Sequence, residues 1–188
     1  MNLNFEALEA EARLQGRPIR KGAGILPPGR RWRISSAETS PAARRISWLT
    51  DITEHPTREG KVDCCVVLDA HSRRVVGWSI DTQQASSLVT NALSMAVSNR
   101  AAHAGTVIHS DHGSQFTSSA FSERVRQAVL VPSLGTVGDA FDNAVIESFW
   151  ARLQTELLNR PKWKTRVELS TALFDYVEIF NSQTANAA

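Results

Sequence analysis

The strongest constraint on this chain is the segment Thr106-Val-Ile-His-Ser-Asp-His-Gly-Ser-Gln-Phe-Thr-Ser118, an apolar run of strand length that ends in a carboxylate, Asp111, and breaks at Gly113. Such a run, followed by glycine and a Ser/Thr-rich opening to a helical pattern, reads as strand, loop, helix. In open α/β sheets, ligands collect just beyond the carboxyl ends of these strands. Asp111 is therefore the first candidate for chemistry.

Three strands are expected before it. Ile46–Thr53 has the β-branched and aromatic content of a strand and carries Asp51. A polar turn through Pro56 and Gly60 leads to Val62–Asp69, which does not alternate cleanly and reads as mostly buried. After a turn at His71–Arg74, Val75–Ile80 completes an antiparallel meander. Leu88, Ala92, Leu93, Ala96 and Val97 then recur at helical spacing, predicting a helix of about fourteen residues. The strand Thr106–Ser110, a helix from about Ser118 to Val129 (Phe121, Val125, Ala128 and Val129 on one side) and a strand Leu130–Leu134 follow. Helix, strand, helix, strand implies parallel pairing in this half, so the fold class is α/β with a mixed five-stranded sheet, one half an antiparallel three-stranded meander, flanked by helices. Residues 135–142 read as a mobile loop with Asp142 as a cap, ahead of a helix whose stripe is Ile146, Phe149, Trp150, Leu153 and Leu157, ending near Pro161. A last helix from Val167 to about Phe180 buries Leu169, Leu173, Val177 and Phe180.

The domain reading is a basic segment at 1–45, with a short helix at Phe5–Leu14, a core at 46–181 and a tail at 182–188. Of the formal net charge of +2, residues 1–45 contribute nine Lys/Arg against four Asp/Glu, leaving the remainder mildly acidic. A nucleic-acid partner would then rely on local patches, the basic segment or other chains. The longest apolar run, Cys64–Leu68, is too short to span a bilayer, and the amino terminus lacks a secretory pattern. A cytoplasmic, nucleoid-associated protein is expected. Cys64 and Cys65 are adjacent in a strand, so their side chains point to opposite faces and cannot share a metal.

Asp51 lies within the first strand, Asp111 ends a strand that a crossover helix can bring beside it, and Glu147 falls about 100° from Ile146 on the helical wheel, at the edge of the apolar stripe. Asn143 and Gln154 form a polar ridge with Glu147. Three carboxylates from separate elements are hard oxygen ligands suited to Mg²⁺ or Mn²⁺, and two such ions can serve an in-line phosphoryl displacement without a covalent nucleophile. The cluster His109-Ser-Asp-His112 leaves a transition-metal site open as an alternative, beside phosphate contact or loop orientation.

The segments Trp48–Thr53, Val67–Trp78, His109–Ser118 and Gly138–Trp150 resemble, in order and spacing, the catalytic core of bacterial insertion-sequence transposases of the two-aspartate, one-glutamate type related to retroviral integrases. The resemblance covers about residues 46–180, and 35 residues separate Asp111 from Glu147. It implies a ribonuclease-H-like fold, assigns Asp51, Asp111 and Glu147 as catalytic and metal-binding, with two ions, and implies DNA nicking followed by attack of the freed 3′-hydroxyl. Candidate DNA contacts are His109, His112, Ser114, Gln115, Asn143, Arg152 and Gln154. The implied partners are double-stranded DNA, further copies of the chain and a separate helix-turn-helix transposase subunit. Gln154 stands where related transposases often carry Lys or Arg, and the basic run they show after the position of Phe180 is missing, as expected of a truncated copy. Two other outcomes belong with this reading: a ribonuclease-H-like nuclease without strand transfer, and an inactive remnant that binds DNA or pairs with full-length transposase.

Overall fold

The computed structural model describes residues 47–100, 105–134, 140–159 and 163–185, with side chains omitted for residues 47, 140–143 and 182–185. The segment 1–45 and the short helix expected in it, residues 135–139 of the loop, and the side chains of Asp142 and Asn143 lie outside the described residues.

Five strands form one sheet in the order β3-β2-β1-β4-β5. The strands β1 (Ser47–Thr57), β2 (Gly60–Asp69) and β3 (Val75–Asp81) pair antiparallel, whereas β4 (Val107–Ser110) pairs parallel to β1 and β5 (Val131–Leu134) parallel to β4. Helices α1 (Ser86–Asn99) and α2 (Ser119–Gln127) make the crossovers, and α3 (Ala140–Leu153) and α4 (Arg166–Ala185) follow the sheet. This is the mixed sheet that the pattern predicts, including the fourteen-residue α1.

Pro56 is not in a turn. It extends β1 opposite Lys61, and the chain reverses only at Arg58 and Glu59. A proline is admissible there because β4 accompanies β1 only from Ser47 to Leu49, so among the described residues the far side of β1 has no strand asking for an N–H at Pro56.

Alternation along β1 divides the molecule. Trp48 joins Cys65, Val67, Leu88, Leu93, Ile108, Phe116 and Phe121 in one buried layer beneath α1 and α2. Leu49 and Asp51 therefore project to the opposite face, where α3 packs on β1 and α4 on β2 and β3. Cys64 and Cys65 are both buried and free. Asp69, fully buried, builds the β2–β3 turn: its Oδ1 accepts the N–H groups of His71 and Ser72, and Oδ2 lies 2.9 Å from Arg100 Nη1.

Two helical stripes depart from a regular 100° projection. Helix α2 stops at Gln127, and Val129, expected on its buried side, takes a φ of 56° and is 62% exposed. That reversal sends Leu130 into the core instead. After Leu153 the last long-stripe turn is a π-helix, Gln154–Leu158. Its wider turn rotates the following positions, so Leu158 rather than Leu157 is buried.

Candidate active site

Asp51 sits in the middle of β1 opposite Val66, half-buried on the α3 side of the sheet. Its Oδ1 accepts the backbone N–H of Ile52 at 2.8 Å, and its Oδ2 accepts the indole Nε1–H of Trp150 at 2.8 Å. Asp111 directly follows β4 and is exposed. Its Oδ1 accepts Gly113 N at 2.8 Å, an Asx turn that starts the loop into α2. A Cβ on Gly113 would stand 2.9 Å from that same Oδ1, so a side chain there would push the carboxylate out of this turn. Phe116, buried against the edge of Phe121, and Ser118, whose Oγ accepts Phe121 N, anchor the far end of the loop. Glu147 is exposed on α3.

These three carboxylates share one electrostatic neighbourhood. The Asp51 carboxyl is raised above its ordinary value first by burial, then, against the lowering effect of its two hydrogen bonds, by the charges of Asp111 and Glu147. Burial and two like charges make the ionised Asp51 costly, and a divalent cation is the group that would relieve that cost. All three donors are hard oxygens, so the donor chemistry fits Mg²⁺ or Mn²⁺. The acids are not already drawn into a ligand set: among the described residues no three His, Cys, Asp or Glu side chains are gathered closely enough to hold an ion. The same holds for the His109–Asp111–His112 cluster.

The other candidates divide by exposure. His109 is only 6% exposed, on the face of Asp51, with its Nδ1 3.0 Å from Ser133 Oγ on β5. The sheet holds it inside, so it is a poor surface contact for DNA. His112 and Ser114 are exposed on the loop. Gln115 donates from Nε2 to Gln84 O at 3.2 Å, tying that loop to the segment ahead of α1. Gln154 donates to Asn159 Oδ1 at 2.7 Å, and Arg152 donates to Glu156 Oε1 at 2.9 Å while its guanidinium lies over the Phe180 ring.

Trp150 is what sequence reasoning missed. Its apolar periodicity places it in the stripe, yet it is half-buried and its polar edge reaches Asp51. A buried indole N–H seeks an acceptor, and that rule was the available signal. Asp63, fully buried on β2 with Lys61 Nζ 3.6 Å away, was also not singled out.

A mixed five-stranded sheet with helices on both faces, carrying acids on its central strand, at the end of the neighbouring strand and on the helix beside them, defines a ribonuclease-H-like core. A family model described as integrase core domain matches residues 42–140, a second of the same description matches residues 147–184, and the chain belongs to this integrase core family. The transposase for insertion sequence element IS904 of Lactococcus lactis subsp. lactis is 34% identical over 161 residues, covering 86% of this chain and 62% of the relative. The chain thus spans less than two thirds of that protein. Among solved structures, the simian T-cell lymphotropic virus intasome in complex with PP2A regulatory subunit B56 gamma is similar with a TM-score of 0.56 at 19% identity, over 69% of this chain and 47% of that one. The HTLV-2 integrase catalytic core domain in complex with magnesium, in its trimeric form, gives 0.51 at 21% identity, over 69% and 83%. At these identities the structures establish the fold. Among the described residues no helix is long and apolar enough to cross a membrane.

Proposed function

We propose that residues 46–181 are the catalytic core of a DNA transposase that cleaves phosphodiesters and transfers 3′-hydroxyl strands, with Asp51, Asp111 and Glu147 as the metal-holding acids. The observation that carries this reading is Asp51, a half-buried carboxylate whose charge is opposed by Asp111 and Glu147 from two other elements, in a chain of the integrase core family. When bound, Mg²⁺ or Mn²⁺ neutralises phosphodiester charge and activates an attacking oxygen. The protein's part is placement. The β1 backbone and the Trp150 indole orient Asp51, the Asx turn closed by Gly113 presents Asp111, and α3 presents Glu147. The magnesium in the similar HTLV-2 core supports the choice of ion.

Double-stranded DNA is the substrate in this reading. Exposed His112 and Ser114 on the Asp111 loop, with Gln115, and Arg152 and Gln154 on the α3 side are the DNA contacts in this reading, and the basic segment 1–45 supplies phosphate affinity. Assembly with further copies, with DNA ends and with a helix-turn-helix subunit belongs to the same proposal. One observation favours a second reading, a DNA-binding chain without catalysis: the three acids are not gathered into a ligand set.

The test is incubation of the full chain with Mn²⁺ and a supercoiled plasmid bearing the element's terminal repeats. Nicked and joined products are expected, and Glu147→Gln should lower them by more than about 10²-fold, as loss of a direct ligand exceeds the usual second-sphere effect. Nicks without joining would favour the nuclease outcome. Salt-sensitive DNA binding with no product and no response to metal would favour the non-catalytic one.

A further inference from the structure

We propose that Trp150 is a positioning residue of the metal site, the tie that sets Asp51 and Glu147 relative to each other. This rests on the proposed assignment of those two acids.

Asp51 and Trp150 are 99 residues apart in sequence and joined by one 2.8 Å bond from Nε1–H to Oδ2. Trp150 is three residues after Glu147 on α3, and residues at that spacing are neighbours on one helical surface. One helix thus supplies both a metal-holding carboxylate and the donor that grips another. The bond pins α3 to β1 in the register that brings Glu147 within electrostatic reach of Asp51.

The grip is built to be rigid at both ends. On the strand, Oδ1 is held by Ile52 N, so the two bonds fix the plane of the carboxylate. A carboxylate has about four acceptor positions, and capacity therefore remains on both oxygens for a cation. On the helix, the Trp150 ring meets Phe149 at 5.0 Å between centroids, and Phe149 meets Phe180 of α4 edge-on at 5.1 Å. Phe180 in turn stacks on Tyr176, whose hydroxyl donates to Glu156 at 3.1 Å. This row braces the indole against swinging away and connects α4 to the placement of Asp51.

The test uses the full chain and Mn²⁺ alone, with affinity read by electron paramagnetic resonance of free ion and without DNA. Trp150→Phe keeps the ring in the row and removes the donor; it should weaken Mn²⁺ binding by about 10–100-fold, the usual effect of losing a second-sphere partner, and Trp150→His, which restores a ring N–H, should recover part of it. Native affinity in Trp150→Phe, with binding abolished in Asp51→Asn, would overturn the tie and leave the metal assignment standing. A native chain that binds no Mn²⁺ would remove the metal assignment and the tie together. Should the variants not fold, the indole N–H resonance of Trp150 in the native chain must move on titration with Mg²⁺, and a resonance that stays in place overturns the proposal.

Discussion

Gly77 is the position where one added methyl group should do most to separate stability from chemistry. It lies on β3 opposite Val67, directly under α1. A Cβ there would stand 2.5 Å from Ala96 N and 2.7 Å from Ala96 Cβ, and nearer still to Ala92 O. Two of those three atoms are backbone and cannot rotate aside. Ordinary contact returns only if α1 retreats by about 1 Å, a gap that forfeits roughly a quarter to a half of each dispersion well. The large side chains that α1 buries are Leu88, Val89 and Leu93. Each contributes roughly 1.5–3 kcal/mol when fully buried, so losing about a third of the total costs roughly 1.5–3 kcal/mol, within the range for overpacked cores. Removing a glycine from the unfolded chain returns about 0.4–1 kcal/mol. The net loss of about 1–2 kcal/mol corresponds to a Tm lower by roughly 3–8 °C for a domain of this size, measurable by differential scanning calorimetry. Mn²⁺ binding well below Tm should be unchanged, because Asp51 projects from the opposite face. Adding Ala96→Gly removes only the Cβ contact and should restore little. An unchanged Tm in Gly77→Ala, or full recovery in the double variant, would refute the backbone clash.

Val129 holds a φ of 56° while 62% exposed, and a left-handed conformation costs an L-residue roughly 1–2 kcal/mol that glycine avoids. Val129→Gly should therefore raise Tm by roughly 3 °C, and a fall would show that the side chain contributes more than its backbone costs. Burial lowers the His55 imidazole below its ordinary 6.5. The unfolded chain then binds a proton that the folded chain resists, so stability contributed by neutral His55 is complete above about pH 6.5 and is lost as pH falls from there through the lower value of the folded chain. The difference between urea midpoints at about pH 7.5 and about pH 5.5 should shrink in His55→Gln; an identical difference in the two proteins would assign the pH dependence elsewhere.

The local patterns were legible where one period dominated. The meander, α1 and the crossover β4–α2–β5 follow from runs of two-residue and 3.6-residue spacing, and the glycine after Asp111 marked the loop. Misreadings fell where a distant neighbour overrode the pattern. Pro56 stays in β1 because, among the described residues, no strand pairs with β1 at that point on the side away from β2, Leu158 replaces Leu157 because a π-turn intervenes, and Val129 turns out because Leu130 takes the core position. His109 was expected among the DNA contacts, but it is buried beside Ser133 across β4 and β5.

For the site, the chain order Asp51, Asp111, Glu147 and the segments around each were enough to propose the three acids, since residue type and spacing are one-dimensional properties. Their state was not. The raised Asp51 carboxyl reflects desolvation and the fields of groups 60 and 96 residues away in sequence. The indole that holds it comes from a stripe indistinguishable, along the chain, from plain core. Apolar periodicity can say that a helix will lie on a sheet, but the rotation and register with which it lies there come from packing across the whole core. That choice brings the polar edge of Trp150, rather than another apolar face, to Asp51.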